Sequence, residues 1–215
     1  MDGTLIDSEP LWIEQERLLM SSLGVHWSDA DAIHCVGGPM ARVDEFMRSK
    51  LPENERSKYA PFDLTNRLLQ QMEITLSQSV PFSSGAFELL SEMKSAAIPM
   101  ALVSASSRPL VDAALTSIGH GYFDITISDN DVENSKPDPE GYLKAADLLG
   151  ANIESTLIIE DSITGMNAAI ASGAYVLGIP HVADLPSGHK VIHHSTLEGL
   201  TLAHLSEFFT PLYAR

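Results

Sequence analysis

Residues 156–179 read TLIIEDSITGMNAAIASGAYVLGI, and this stretch decides the fold. Its first part, TLIIE, is a short apolar run with two isoleucines, the composition of a buried strand. SITGMNAAIASG follows with helical character and has Gly173 to stop it. YVLGI is a second apolar run. Strand, helix and strand in so short a length form a crossover, and a crossover joins parallel strands. The alternation extends upstream. Residues 84–97 (SGAFELLSEMKSAA) read as a helix and PMALVS as a strand. SSRPLVDAALTSIG reads as a helix ending at Gly119, YFDITIS as a strand, and residues 138–149 as a helix ending at Gly150. The pattern predicts an α/β fold, a parallel sheet with helices on both faces.

Sites in such sheets lie beyond the carboxyl ends of the strands, so the residues ending each strand are the candidates. Ser104 ends PMALVS, and Ala105, Ser106 and Ser107 lead into the next helix. Hydroxyls and free helix N–H groups make a small anion site, and a plain helix cap explains the same residues. Glu160 and Asp161 end TLIIE. Adjacent acids repel unless a cation or a donor balances them, and their hard oxygens suit Mg²⁺ beside a substrate phosphate. Lys136 precedes Pro137, which biases its backbone to an extended form. It offers a point charge for phosphate or carboxylate, with a solvated surface lysine as the alternative. With Asp2 near the chain start, these residues describe a site for phosphate and magnesium.

Before residue 80 no clear strand appears. Residues 9–24, 40–50 and 61–78 read as helices, with Pro10, Pro52, Pro61 and Pro81 as punctuation. The 215 residues carry 29 acidic and 13 basic side chains, a formal charge of −16, which speaks against a general nucleic-acid or anionic-membrane surface. The lone Cys35 excludes an intrachain disulfide and a cysteine metal cluster. No apolar run approaches the roughly 18 residues of a membrane span, and no leader follows Met1. A cytoplasmic protein is expected, a monomer or weak homodimer.

DGTLIDSEP at 2–10, LVSASS at 102–107, KPDPEGYLKAADLLG at 136–150 and IIEDSITGMNAAIASGA at 158–174 together resemble the haloacid-dehalogenase-like phosphatases. The resemblance runs over nearly the whole chain and lies closest to the sugar-phosphate phosphatases and β-phosphoglucomutase-like enzymes. It implies a Rossmann-like parallel-sheet core from residues 1–9 and 81–215, with a helical cap of residues 10–80 inserted after the first motif. In that family the first motif is Asp-x-Asp-Gly-Thr at the end of a central strand, and its first Asp attacks phosphorus. Asp2 matches the second Asp, and Met1 matches the x. The expectation is therefore that the first central core strand is missing here, and that an apolar strand ending in Asp precedes Met1 in the native protein.

The resemblance assigns Asp2 as general acid/base that also lends a backbone oxygen to Mg²⁺. Thr4 becomes a phosphate or loop contact, and Asp7 part of the loop into the cap. Ser104 and Ala105 would hold the phosphoryl group, and Lys136 would stabilise its charge. Asp161 would bind the metal, with Glu160 assisting directly or through water. Candidate cap residues facing substrate are Glu9, Trp12, Glu16 and the loop HCVGGPMAR with Gly38 and Arg42; Trp12 fits either cap core or a sugar platform. Arg42 could reach a second phosphate or a sugar oxygen. Mutase-like relatives place an arginine three residues after the loop glycine, whereas Arg42 is four after Gly38. The expected function is Mg²⁺-dependent hydrolysis of a small phosphorylated metabolite, a sugar or polyol phosphate, through an aspartyl-phosphate if the full-length protein has the Asp preceding Met1. Alternatives are a hexose phosphomutase and, if the chain starts at Met1, an inactive phosphate-binding protein. His181, His189, His193, His194 and His204 show no metal spacing and read as solvated or structural.

Overall fold

The helical periodicity before residue 80 forms five helices in the computed structural model, which describes residues 1–180 and 184–213; His181 lies outside them. They are α1 (Glu9–Ser22), α2 (Asp29–Cys35), α3 (Met40–Lys50), α4 (Glu53–Arg56) and α5 (Asp63–Gln78). Gly24 has φ +73°, a left-handed turn that closes α1 as its position suggests. Helix α2 was not anticipated. Ser28 starts it with a capping box: its hydroxyl accepts the Asp31 N–H at 3.2 Å, and the Asp31 carboxylate accepts the Ser28 N–H at 3.0 Å. Leu19, Met20, Trp27, Val43, Met47, Leu64 and Leu68 form a buried core for these helices. Helix α5 leaves that core halfway along: Met72 and Leu76 pack instead with Val111, Ala114 and Leu115 of a later helix.

The second part alternates as expected. It comprises α6 (Ala86–Ser95), β1 (Ala101–Val103), α7 (Arg108–Ile118), β2 (Ile125–Ile127), α8 (Glu140–Leu148), β3 (Leu157–Glu160), α9 (Ile163–Ser172) and β4 (Tyr175–Gly178). Two further elements were not read from the sequence, β5 (Val191–His193) and α10 (Leu202–Tyr213). The named strands among the described residues all pair in parallel, and every residue of β4 is buried. No helix among the described residues is long and apolar enough to cross a membrane.

The strands form two sheets, β1–β2 and β3–β4–β5, that do not pair with each other. Between them lies a cavity of about 560 Å³, lined by β1, by Leu157–Glu160 of β3 and by Met1, Leu5, Leu89 and Ala145. The facing edges of β1 and β3 thus border one apolar slot. Both sheets run in the same direction, because the Lys136 ammonium touches the last residues of β1 and β3 at once.

A parallel strand supplies hydrogen bonds to both neighbours, so filling the slot should stabilise the fold. Joining a five-residue apolar strand ending in Asp ahead of Met1 is expected to raise Tm by about 5 °C or more, given roughly 2–4 °C per kcal/mol for a chain of this size. Calorimetric melting of the two proteins checks this, and an unchanged Tm would show that the slot does not accept a strand.

Candidate active site

The loop after Met1 is wound by its own backbone. Gly3 adopts φ +75°, and its N–H donates to the Ile6 carbonyl at 2.8 Å. The Leu5 and Ile6 N–H groups both donate to the Met1 carbonyl. This turn sets the Asp2 carboxylate between two hydroxyls: Ser8 donates to Oδ1 at 2.6 Å and Ser106 donates to Oδ2 at 2.8 Å. The Ser106 N–H in turn donates to Ser104 Oγ at 3.1 Å, and Ser104 is buried at the end of β1. Ala105 beside it is exposed. Asp2 is therefore tied to the start of α1 through Ser8 and to the β1 end through Ser106. The sequence named Ser106 as a hydroxyl of an anion site or a plain helix cap, not as a partner of Asp2, and did not single out Ser8. Ser106 was visible in SASS next to Ser104, and Ser8 only as the residue preceding a helix.

Lys136 spans the ends of the two sheets. Its Nζ donates to the Val103 carbonyl at 3.2 Å and to Glu160 Oε1 at 2.6 Å, and it stands 4.7 Å from the Tyr142 ring centroid. The Tyr142 hydroxyl also donates to Glu160 Oε1, at 2.5 Å. Glu160 Oε2 accepts the N–H groups of Asp161 and Ser162 and the Ser162 hydroxyl. Burial opposes ionisation of Glu160, but the Lys136 charge and these donors hold its carboxyl below the ordinary range. Burial and the Glu160 charge push the Tyr142 phenol up. With both oxygens engaged, Glu160 is placed as the partner of Lys136 and not as the metal ligand expected beside Asp161.

Asp161 faces the other way. The Thr4 hydroxyl donates to its Oδ1, while Oδ2 has no hydrogen-bond partner among the described residues. Its pKa is raised by burial, with the Thr4 hydrogen bond opposing and the neighbouring Glu160 charge adding to the rise. Gly3 packs so tightly here that a Cβ would fall 2.0 Å from Asp161 Oδ2.

A cavity of about 480 Å³ opens between the two parts of the chain. Asp2, Gly3, Asp7, Ser8, Asp161 and Ser162 form its floor, and Glu9, Trp12, Glu16, Cys35, Gly38 and Val43 are among the residues of its roof. Trp12 also packs against both hydrophobic cores, so it serves as core and cavity wall together. Ser104, Ala105, Lys136 and Arg42 do not line this cavity. Arg42 is folded back: its Nη2 donates to the carbonyls of His34 and Val36, and it lies against Gly38. Carbonyls at the end of α2 attract the guanidinium, which corrects the expectation that it reaches substrate.

The model of the haloacid dehalogenase-like hydrolases matches residues 1–179. The chain belongs to that family. Hexitol phosphatase A of Escherichia coli is 28% identical over 94% of this chain and 91% of its own. Hexitol phosphatase B of the same organism is 30% identical over 84% of this chain and 81% of its own. The crystal structure of CbbY from Rhodobacter sphaeroides in complex with phosphate shares the fold, with a TM-score of 0.75 at 22% identity, covering 96% of each chain. The two hexitol phosphatases set the chain among the family's phosphatases.

Removing one member of a buried ion pair strands the other. Lys136→Met and Glu160→Gln are each expected to cost about 3–5 kcal/mol, and the double variant clearly less than their sum. Urea unfolding of the four proteins measures this, and additive losses would mean that the two residues are not coupled.

Proposed function

We propose that this chain hydrolyses monophosphate esters of small uncharged sugars or polyols, with magnesium as cofactor. The observation that carries this reading is the charge of the cavity. Its lining includes the carboxyl groups of Asp2, Asp7, Glu9, Glu16 and Asp161, and no Lys, Arg or His among the described residues. A second phosphate or a carboxylate on the substrate would meet acids alone, at a cost of a few kcal/mol near a surface of intermediate dielectric. The cavity therefore favours a monoester over the bisphosphate that a mutase must accommodate. The hexitol phosphatases among the relatives support the same reading.

Asp2 is the group suited to move the proton. Two hydroxyls orient its carboxyl on the cavity floor, where it protonates the leaving oxygen and later draws a proton from water. Lys136 stands outside the cavity lining, where its bonds to Val103 and Glu160 fix the ends of β1 and β3 behind the floor. Ser104 and Ser106 fix the β1 end of this arrangement. In the covalent route of the family the attacking carboxylate is the residue that the motif places directly before Met1.

The residues present fit a magnesium ion at Asp161, whose Oδ2 takes no hydrogen bond and faces the tight Gly3 turn. Mg²⁺ commonly takes one or two carboxylates and completes its shell with water and phosphate, so a single open carboxylate oxygen suits it. When bound, it supplies positive charge that neutralises and orients the phosphoryl group.

Phosphate release from glucitol 6-phosphate tests the reading. Asp2→Asn is expected to lower the rate by roughly 10²- to 10⁴-fold, and by less for para-nitrophenyl phosphate, whose leaving group needs little protonation. An Asn variant that hydrolyses the alkyl phosphate at the parent rate would remove Asp2 from the mechanism. In calorimetry, Asp161→Asn should weaken Mg²⁺ binding far more than His193→Asn on β5; equal affinities would sink the metal assignment.

A further inference from the structure

Glu9, Trp12, Ile13 and Glu16 all line the cavity. They stand at i, i+3, i+4 and i+7, so one face of α1 forms a wall of the cavity along its length. The helix is anchored at its start, where Ser8 binds Asp2. At about 1.5 Å per residue, Glu16 lies roughly 12 Å along the axis from that contact. A two-carbon phosphate cannot span this distance, whereas a chain of several carbons can. Glu16 is only 5% exposed, and Trp27 Nε1–H donates to its Oε2 at 3.2 Å. Its Oε1 has no hydrogen-bond partner among the described residues. A buried carboxyl with one oxygen fixed and one free, on a cavity wall, is a recognition element awaiting a hydroxyl.

We propose that Glu16 is a specificity-determining residue that binds a hydroxyl at the non-phosphorylated end of the substrate and selects an uncharged polyol chain against one ending in an anion. This rests on the reading of the cavity as a phosphomonoester site and names what its far end recognises. Burial lifts the Glu16 carboxyl to about 7, against the opposing hydrogen bond from Trp27. The acid form can both donate to and accept from a hydroxyl; the ionised form only accepts, and it repels an anion. Other groups facing the same space are Glu9 on α1, Asp2, Asp7 and Asp161 on the floor, and the Cys35 thiol on α2. Burial, followed by the Glu16 charge, pushes that thiol to about 12, with Arg42 opposing and Asp31 contributing, so it stays neutral.

The test compares glucitol 6-phosphate with 6-phosphogluconate, which differ at the far end in an alcohol against a carboxylate ionised throughout the range used. Inorganic phosphate reports the near end alone. Affinities are measured by calorimetry at pH 6 and pH 8 with magnesium present, and every protein compared carries Asp2→Asn to hold back turnover. The parent should prefer the alcohol, and that preference should widen roughly tenfold from pH 6 to pH 8 as Glu16 ionises. Glu16→Gln, neutral at both pH values, should leave phosphate affinity unchanged and keep the preference flat. Trp27→Phe, which frees the carboxyl, should reduce the preference for the alcohol without changing phosphate binding. It provides an independent test if the Gln variant does not fold. Equal widening in Glu16→Gln, or no preference in the parent, would overturn the role of Glu16 while leaving the phosphate site standing. Failure of the parent to bind any of the three ligands would overturn the phosphomonoester reading and this inference with it.

Discussion

The Lys136–Glu160 pair holds the functional end of the fold together. Among the described residues the two sheets share no backbone hydrogen bonds, yet this one ammonium reaches the last carbonyl of β1 and the last side chain of β3. A buried pair contributes little unless every remaining donor and acceptor is met. Here they are met by the Tyr142 hydroxyl, two backbone N–H groups and Ser162. The local sequence bends to this demand. A Cβ at Gly165 would fall 2.1 Å from the Glu160 carboxyl carbon, so the first turn of α9 has room for the pair only with glycine. Ser162 accepts the Gly165 N–H and caps the same helix.

Around this fixed cation, the remaining acids are held by hydroxyls. Ser8 and Ser106 bind Asp2, and Thr4 binds Asp161. A hydroxyl orients a carboxylate without cancelling its charge, so the cavity floor stays negative. That charge suits a divalent ion on the floor and disfavours an anionic group on the roof. Arg42 could have altered the balance, but carbonyls at the end of α2 occupy it. The proposed preference for a monoester thus depends on where one guanidinium is spent.

Much of this was legible in the sequence. The alternation around residues 156–179 and the glycines after α7, α8 and α9 gave the parallel core, because each strand there is a short apolar run. Helix α2 was hidden because its seven residues make barely two turns, too few to show a period, and its capping box is the main signal. Strand β5 has three residues, and α10 contains Pro211, so neither stands out by periodicity. At the site, the strand-end residues were readable but their directions were not. Glu160 and Asp161 are neighbours, and successive side chains at a strand end face opposite ways. One is buried on Lys136, and the other meets the cavity. Ser8 and Ser106 matter only because Asp2 lies between them, a contact across 104 residues in the second case.

The cap is joined to the core on two sides by different means. On one side α5 passes from one hydrophobic core into the other, with Leu64 and Leu68 in the first and Met72 and Leu76 in the second. On the other side the cavity itself intervenes, and the tie is the short run from Asp2 to Ser8 at the foot of α1. Selectivity and chemistry are therefore referred to the same fixed point. Any shift of α1 would move the far wall and the Ser8 donor together, so the cavity cannot change its reach without disturbing the carboxylate at its floor.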